Sequence, residues 1–151
     1  MSKPPVTCHI LDTTSGKPAE GVVCSIYKLA IDDSSDDTQV LCENADAPFA
    51  LAKTNSDGRI ANWIFAPEPS KRQLLKSLGI VEQDSESEPL AWESLVPGFY
   101  KIRFQVSKYY AREGKPCFFP HVDIAFTVTD ARHYHIPLLL SSYGYTTYRG
   151  S

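Results

Sequence analysis

The sequence predicts an all-β fold, a sandwich of antiparallel sheets carrying one or two short helices, and two observations support that expectation. Short runs rich in Val, Ile, Tyr, Phe and Thr recur along the chain, and Gly, Pro, Asn and Asp separate them. Such runs suit the pleated, half-buried surface of a sheet, and the residues between them suit turns. The chain has 151 residues, 42% of them hydrophobic and 11% aromatic, which suits a single domain over 1–151 with a sizeable core. Many short strands in such a length suggest two packed sheets.

Taken in order, "VTCHIL" (6–11) and "VVCSIYKLA" (22–30) read as strands, followed by 38–42 and 49–54. The stretch "TNSDGR" (54–59) is a turn in which Gly58 supplies a positive φ, so that Arg59 leaves at a fixed angle. A strand "ANWIF" comes next. In "SKRQLLKSLGI" (70–80), Leu74, Leu75 and Leu78 line one face of a short helix closed by Gly79. "IDDSSDD" (31–37) and "EQDSESEP" (82–89) have little to bury and read as solvated loops. Strands are expected at 100–107, 122–129, 133–140 and 145–149, with a second helical piece at 108–113.

Several function classes lose support. A formal charge of -3 gives no global attraction for phosphate backbones or anionic lipid, so neither nucleic acid nor membrane is an expected partner. Cys8, Cys24, Cys42 and Cys117 form no CxxC pair and read as buried free thiols. No apolar run approaches the roughly 20 residues of a membrane span, and "MSKPPVTCH" lacks a secretory core, so a soluble intracellular protein is expected. There is no GxSxG, GxGxxG or GxxxxGK[ST] pattern to supply a nucleophile elbow, dinucleotide turn or phosphate loop.

The polar residues of interest sit on strands. Alternation places Tyr134, Ile136, Leu138 and Leu140 on one face of their strand and His133, His135, Pro137 and Leu139 on the other. It likewise sets Val6, Cys8 and Ile10 against Thr7, His9 and Leu11. A His-x-His pair could bind zinc with His9 or His121 as third ligand. It could equally supply a general base beside a cation such as Arg59. Spacing does not choose between them. Asp12 and Asp57 read as strand-end and turn residues. The aromatic tail "YGYTTYRGS" is either a packed strand with a frayed end or a strand paired with another subunit. In the second case Tyr148, Arg149 and the terminal carboxylate of Ser151 would reach an inter-subunit cleft.

The set "HILDTTSGKPAEGV", "TNSDGR", "PGFYKIRF", "FFPHVDIAF" and "HYHIPLLLSSYGYTTYRGS" resembles the transthyretin-like 5-hydroxyisourate hydrolases over nearly the whole chain. The resemblance implies a transthyretin-like (prealbumin-like) sandwich that hydrolyses 5-hydroxyisourate to 2-oxo-4-hydroxy-4-carboxy-5-ureidoimidazoline in urate degradation, with no metal or organic cofactor. It also implies homotetramers, dimers of dimers of eight-stranded sandwiches, with sites in the channel between dimers. Matched by motif, the catalytic residues are His9, Arg59, His135 and Ser151, and His9, Arg59 and Tyr148 bind substrate; His133 matches a more variable position. The hormone carrier transthyretin shares the fold but lacks these histidines and the "YRGS" ending, so a carrier of a small aromatic ligand is the second expectation.

The chain departs from the family pattern at Ser142, where proline is usual, and in inserts around 31–47 and 66–95. The expected chemistry is water attack on the C6 carbonyl, with His9 or His135 as base and Arg59 stabilising the charge that develops. The expected compartment is cytoplasmic, and a peroxisomal one would lack any evident targeting signal.

Overall fold

The computed structural model describes residues 4–32, 42–45, 47–65, 72–82 and 90–150. In its first part the strands are β1 (Val6–Asp12), β2 (Lys17–Pro18), β3 (Val23–Asp32), β4 (Cys42–Ala45), β5 (Ala50–Lys53) and β6 (Ile64–Phe65). Helix α1 (Arg72–Ser77) leads to β7 (Ile80–Glu82) and β8 (Leu90–Trp92). Then come β9 (Gly98–Phe104), helix α2 (Val106–Arg112), β10 (Val122–Val128), β11 (Tyr134–Ser141) and β12 (Gly144–Thr147).

Among the described residues, two main sheets face one core, and the two-stranded sheet β7-β8 adds Ile80 and Trp92 to it. The first runs β12-β11-β1-β2; the second runs β10-β9-β3-β5-β6, with β4 also on β3. Val6, Cys8, Ile10, Leu138 and Leu140 from the first sheet share a buried cluster with Cys24, Ile26, Tyr100, Ile102 and Phe104 from the second. Removing each such large side chain from water is worth roughly 1.5–3 kcal/mol, which holds the sheets face to face. Among the described residues all strand pairs are antiparallel except β1 with β11, which run parallel. This is the two-sheet sandwich that the sequence predicts, corrected at one point: β1 and β11, expected antiparallel, run parallel because the shared core brings these distant strands side by side.

Some expected boundaries move. Strand 100–107 begins earlier, at Gly98, and stops at Phe104, because Val106 and Ser107 open α2 with Val106, Tyr109 and Tyr110 buried on one face. The helix expected at 108–113 therefore starts two residues sooner. The strand expected at 38–42 overlaps β4 only at Cys42, and residues 38–41 lie outside the described residues. Ile31 and Asp32, read as loop, extend β3, where they pair with Glu43 and Cys42. Glu82 likewise joins β7, paired with Leu90 of β8. The rest of the two acidic loops, 33–37 and 83–89, lies outside the described residues.

The helix before Gly79 forms as expected, with Leu75 and Leu78 buried and Leu74 half-buried. Cys8 and Cys24 are buried free thiols, burial pushing both well above the usual thiol range. Cys117 is half-buried and free, whereas the Cys42 side chain lies outside the described part. Among the described residues no helix is long and apolar enough to cross a membrane.

Candidate active site

The first sheet assembles the site by strand alternation. Along β1, Val6, Cys8 and Ile10 enter the core, so Thr7, His9 and Leu11 turn the other way. Along β11, Tyr134, Ile136, Leu138 and Leu140 are buried, which turns His135 to the same outer face. Parallel pairing of β1 with β11 sets Thr7 opposite His135 and His9 opposite Pro137.

The tail completes this face. Leu138 pairs with Thr147, and past the end of β12 an isolated bridge joins His135 to Gly150 in the same register. Gly150 N–H donates to the His135 carbonyl at 2.9 Å. The intervening register places Tyr148 opposite Pro137. Arg149 turns the other way, its guanidinium 4.3 Å from the centre of the Tyr134 ring, while Tyr148 remains 59% exposed. One rung of the face is thus Gly150, His135 and Thr7; the next is Tyr148, Pro137 and His9. A Cβ on Gly150 would stand 2.6 Å from His135 Cδ2, so only glycine lets the tail lie this close to the imidazole.

Arg59 reaches the second rung from the opposite flank of β1. Its backbone forms an antiparallel bridge with His9. The turn before it is locked by Asn55, whose Oδ1 accepts the Asp57 and Arg59 N–H groups at 2.9 and 3.1 Å. Gly58 has φ 72, and its carbonyl accepts the Ile10 N–H at 2.9 Å. A Cβ there would collide with the Ile10 carbonyl, so glycine is required both by conformation and by space. The exposed Arg59 side chain is therefore carried on a rigid support.

His9, Arg59, His135 and Tyr148, singled out from the sequence, thus share one face, while Ser151 lies outside the described residues. A residue with no assigned role joins them. Thr7 Oγ1 lies 2.9 Å from His133 Nε2 and 2.7 Å from His135 Nδ1. Alternation had already put Thr7 on His9's face, but threonine is an ordinary strand former, and nothing local announces which strand will lie beside it.

Two other polar residues fall elsewhere. His121, just before β10, faces Asp123 of the second sheet at 3.7 Å, and Asp123 also accepts two hydrogen bonds from Arg103 at 2.8 and 2.9 Å. Among the described residues no group of three or more His, Cys, Asp or Glu side chains converges as a metal-ligand set. Asp12, at the far end of β1, is buried and accepts hydrogen bonds from the Tyr109 and Tyr110 hydroxyls, both at 2.9 Å, and from the Thr14 N–H at 3.0 Å. Burial alone would raise its pKa; these hydrogen bonds, with a further backbone one from Ser15, outweigh burial and hold it below the usual carboxylate range. Burial, then the bond to Asp12, pushes the Tyr110 hydroxyl up to about 12. A groove of about 420 Å³ between α1 and the β7–β8 hairpin, lined by Arg72, Leu75, Lys76, Ile80, Glu82 and Leu90, contains none of the site residues.

Residues 6–150 match the model of the HIUase/Transthyretin family. The chain belongs to that family. It is 35% identical to the probable 5-hydroxyisourate hydrolase of Schizosaccharomyces pombe, an alignment covering 98% of this chain and 92% of the relative. Identity to the 5-hydroxyisourate hydrolase of Mus musculus is 31%, over 97% and 95% of the two chains. The solved 5-hydroxyisourate hydrolase of Klebsiella pneumoniae superposes with a TM-score of 0.60 at 27% identity, covering 97% of this chain and 98% of that one. The family thus includes near full-length relatives of this chain that carry the hydrolase name.

Proposed function

We propose that the protein hydrolyses 5-hydroxyisourate by direct attack of water on the C6 carbonyl, at the face formed by His9, His135, Arg59 and Tyr148. The observation that carries this reading is the backbone register that sets two histidines from separate strands and an arginine from a locked turn on one sheet face. The relatives' names supply the substrate.

In this reading His9 or His135 takes a proton as the water oxygen bonds to C6. Arg59 neutralises the charge that develops on the carbonyl oxygen. The ring C6–N bond then breaks, the protonated imidazole returns its proton to the departing nitrogen, and C6 is left as a carboxylic acid that gives its proton to solvent. Tyr148, exposed on the same face, orients substrate or water, and Ser151 holds the tail end. No metal ion takes part.

The functional unit in this proposal is a homotetramer, a dimer of dimers. The tail strand β12 forms one edge of its sheet, and Tyr145 on it, with Tyr143 and Tyr148 at its two ends, is exposed, which suits burial against another subunit. Light scattering at assay concentration should give the mass of four chains; a fully active monomer would defeat a shared site.

The direct test generates 5-hydroxyisourate with urate oxidase and follows its ultraviolet absorbance. Accelerated decay is expected with the wild type, and a large loss with Arg59→Lys, which keeps the charge but loses the planar donor fork. Decay no faster than without protein would overturn the hydrolase reading and favour the carrier. Near-native turnover in Arg59→Lys would return Arg59 to a turn role.

A further inference from the structure

Thr7 occupies a position that the proposed chemistry has not used. It is 8% exposed and sits beside His135 in the parallel register, with its hydroxyl within hydrogen-bond distance of nitrogens on two different imidazoles. A hydroxyl owns one proton and can accept others. With both rings neutral it can donate to only one of the two nitrogens, so the other must donate to it.

We infer that Thr7 is a positioning residue that links His133 and His135 into one proton-sharing pair and sets the tautomer of His135. The inference rests on the hydrolase reading for its consequence, not for its geometry. In one arrangement His135 Nδ1–H donates to Oγ1 while Oγ1–H donates to His133 Nε2. The lone pair of His135 is then on Nε2, the nitrogen that Thr7 does not touch, and that nitrogen is the base. In the other, Oγ1–H donates to His135 Nδ1 and His133 Nε2–H donates to Oγ1. His135 then carries its proton on Nε2 and is the donor.

A single chain of transfers leads from the first arrangement to the hydrogen-bond pattern of the second, with His133 carrying the added proton. When His135 Nε2 takes a proton from water, its Nδ1 proton can pass to Oγ1 as the hydroxyl proton passes to His133 Nε2. Nothing is lost or gained along the chain: the positive charge moves from one imidazole to the other, and reversal returns the proton for the departing nitrogen. His133 thereby acquires a role in holding charge without touching substrate.

The test compares Thr7→Val, which keeps the shape and removes the hydroxyl, with Thr7→Ser, which restores it. Turnover (kcat) should fall about tenfold or more in the valine variant with little change in KM, and recover in the serine variant. Nitrogen-15 spectra of the histidine rings should show His135 protonated at Nδ1 in the wild type and in Thr7→Ser, and a changed tautomer in Thr7→Val. In a double-mutant cycle, adding His133→Asn to Thr7→Val should cost much less than it does in the wild type. Equal losses in the serine and valine variants, an unchanged His135 tautomer in Thr7→Val, or additive losses in the cycle would each overturn the link. A wild type that shows the tautomer pattern yet fails to hydrolyse substrate would overturn the hydrolase reading and support the link.

Discussion

Strand β1 ends in two hydrogen-bonded clusters: Thr7 with His133 and His135 at one end, Asp12 with Tyr109, Tyr110 and the Thr14 amide at the other. Both join β1 to distant segments. At the Asp12 end the carboxylate only accepts and its neighbours only donate, so one proton arrangement satisfies everything, and the charged form is favoured despite burial. At the Thr7 end one hydroxyl faces two groups that can each donate or accept. The Asp12 cluster admits one proton arrangement; the Thr7 cluster admits two. The half-buried imidazoles and exposed Arg59 accompany the Thr7 cluster, whereas Asp12 is 1% exposed.

Breaking each end should therefore give different failures. The largest effect is expected from His9→Asn and His135→Asn, which keep a polar side chain and remove the titratable base. Hydrolysis should fall roughly 10²–10⁴-fold in whichever variant removes that base. Mass in solution and thermal midpoint should stay near the wild type. Steady-state rates and light scattering on both variants check this, and near-native rates in both would defeat the mechanism.

Asp12→Ala strikes the other end. It leaves two buried phenols without their acceptor, at a cost of about 3 kcal/mol of stability by denaturant titration, with activity per folded molecule little changed. The more conservative Asp12→Asn sharpens the comparison through pH. Because the folded carboxyl titrates below its unfolded value of about 3.9, its contribution is fully present above that pH and disappears as pH falls through the folded value. The gap in melting temperature between wild type and Asp12→Asn should be constant near neutrality and close in acid. A gap that widens on acidification would contradict the hydrogen-bond pattern.

The smallest effect is expected from Gly150→Ala. The added Cβ meets His135 Cδ2, so the tail must withdraw from the imidazole, while the core beneath is untouched. Activity should drop about tenfold, the equivalent of one misplaced contact, with an unchanged melting temperature. A stability loss as large as that of Asp12→Ala would mean that the tail belongs to the structural class instead.

Much of this was readable before folding. The period-2 pattern of "HYHIPLLL" and "VTCHIL" put Val6, Cys8, Ile10, Tyr134, Ile136, Leu138 and Leu140 on the core face, because side chains on a strand alternate whatever the neighbours are; Thr7 and Pro137, on the outer face, are buried as well. The glycine in "TNSDGR" and the leucines before Gly79 were legible for equally local reasons. The limit of strand 100–107 was not. Val106 and Ser107 suit a strand by composition, and burial of Val106, Tyr109 and Tyr110 on one face of α2 decides for helix.

The sequence by itself determined which residues turn inward on each strand, where the Arg59 turn lies and that the tail resembles a functional signature, since these follow from short-range geometry and residue identity. Tertiary structure alone decided that β1 lies parallel to β11, that the Gly150 segment returns to His135 and that Thr7 meets imidazoles 126 and 128 residues away. The reason is physical: alternation states which way a side chain faces, but only the packing of two sheets on a shared core selects which strand becomes its neighbour and in what register.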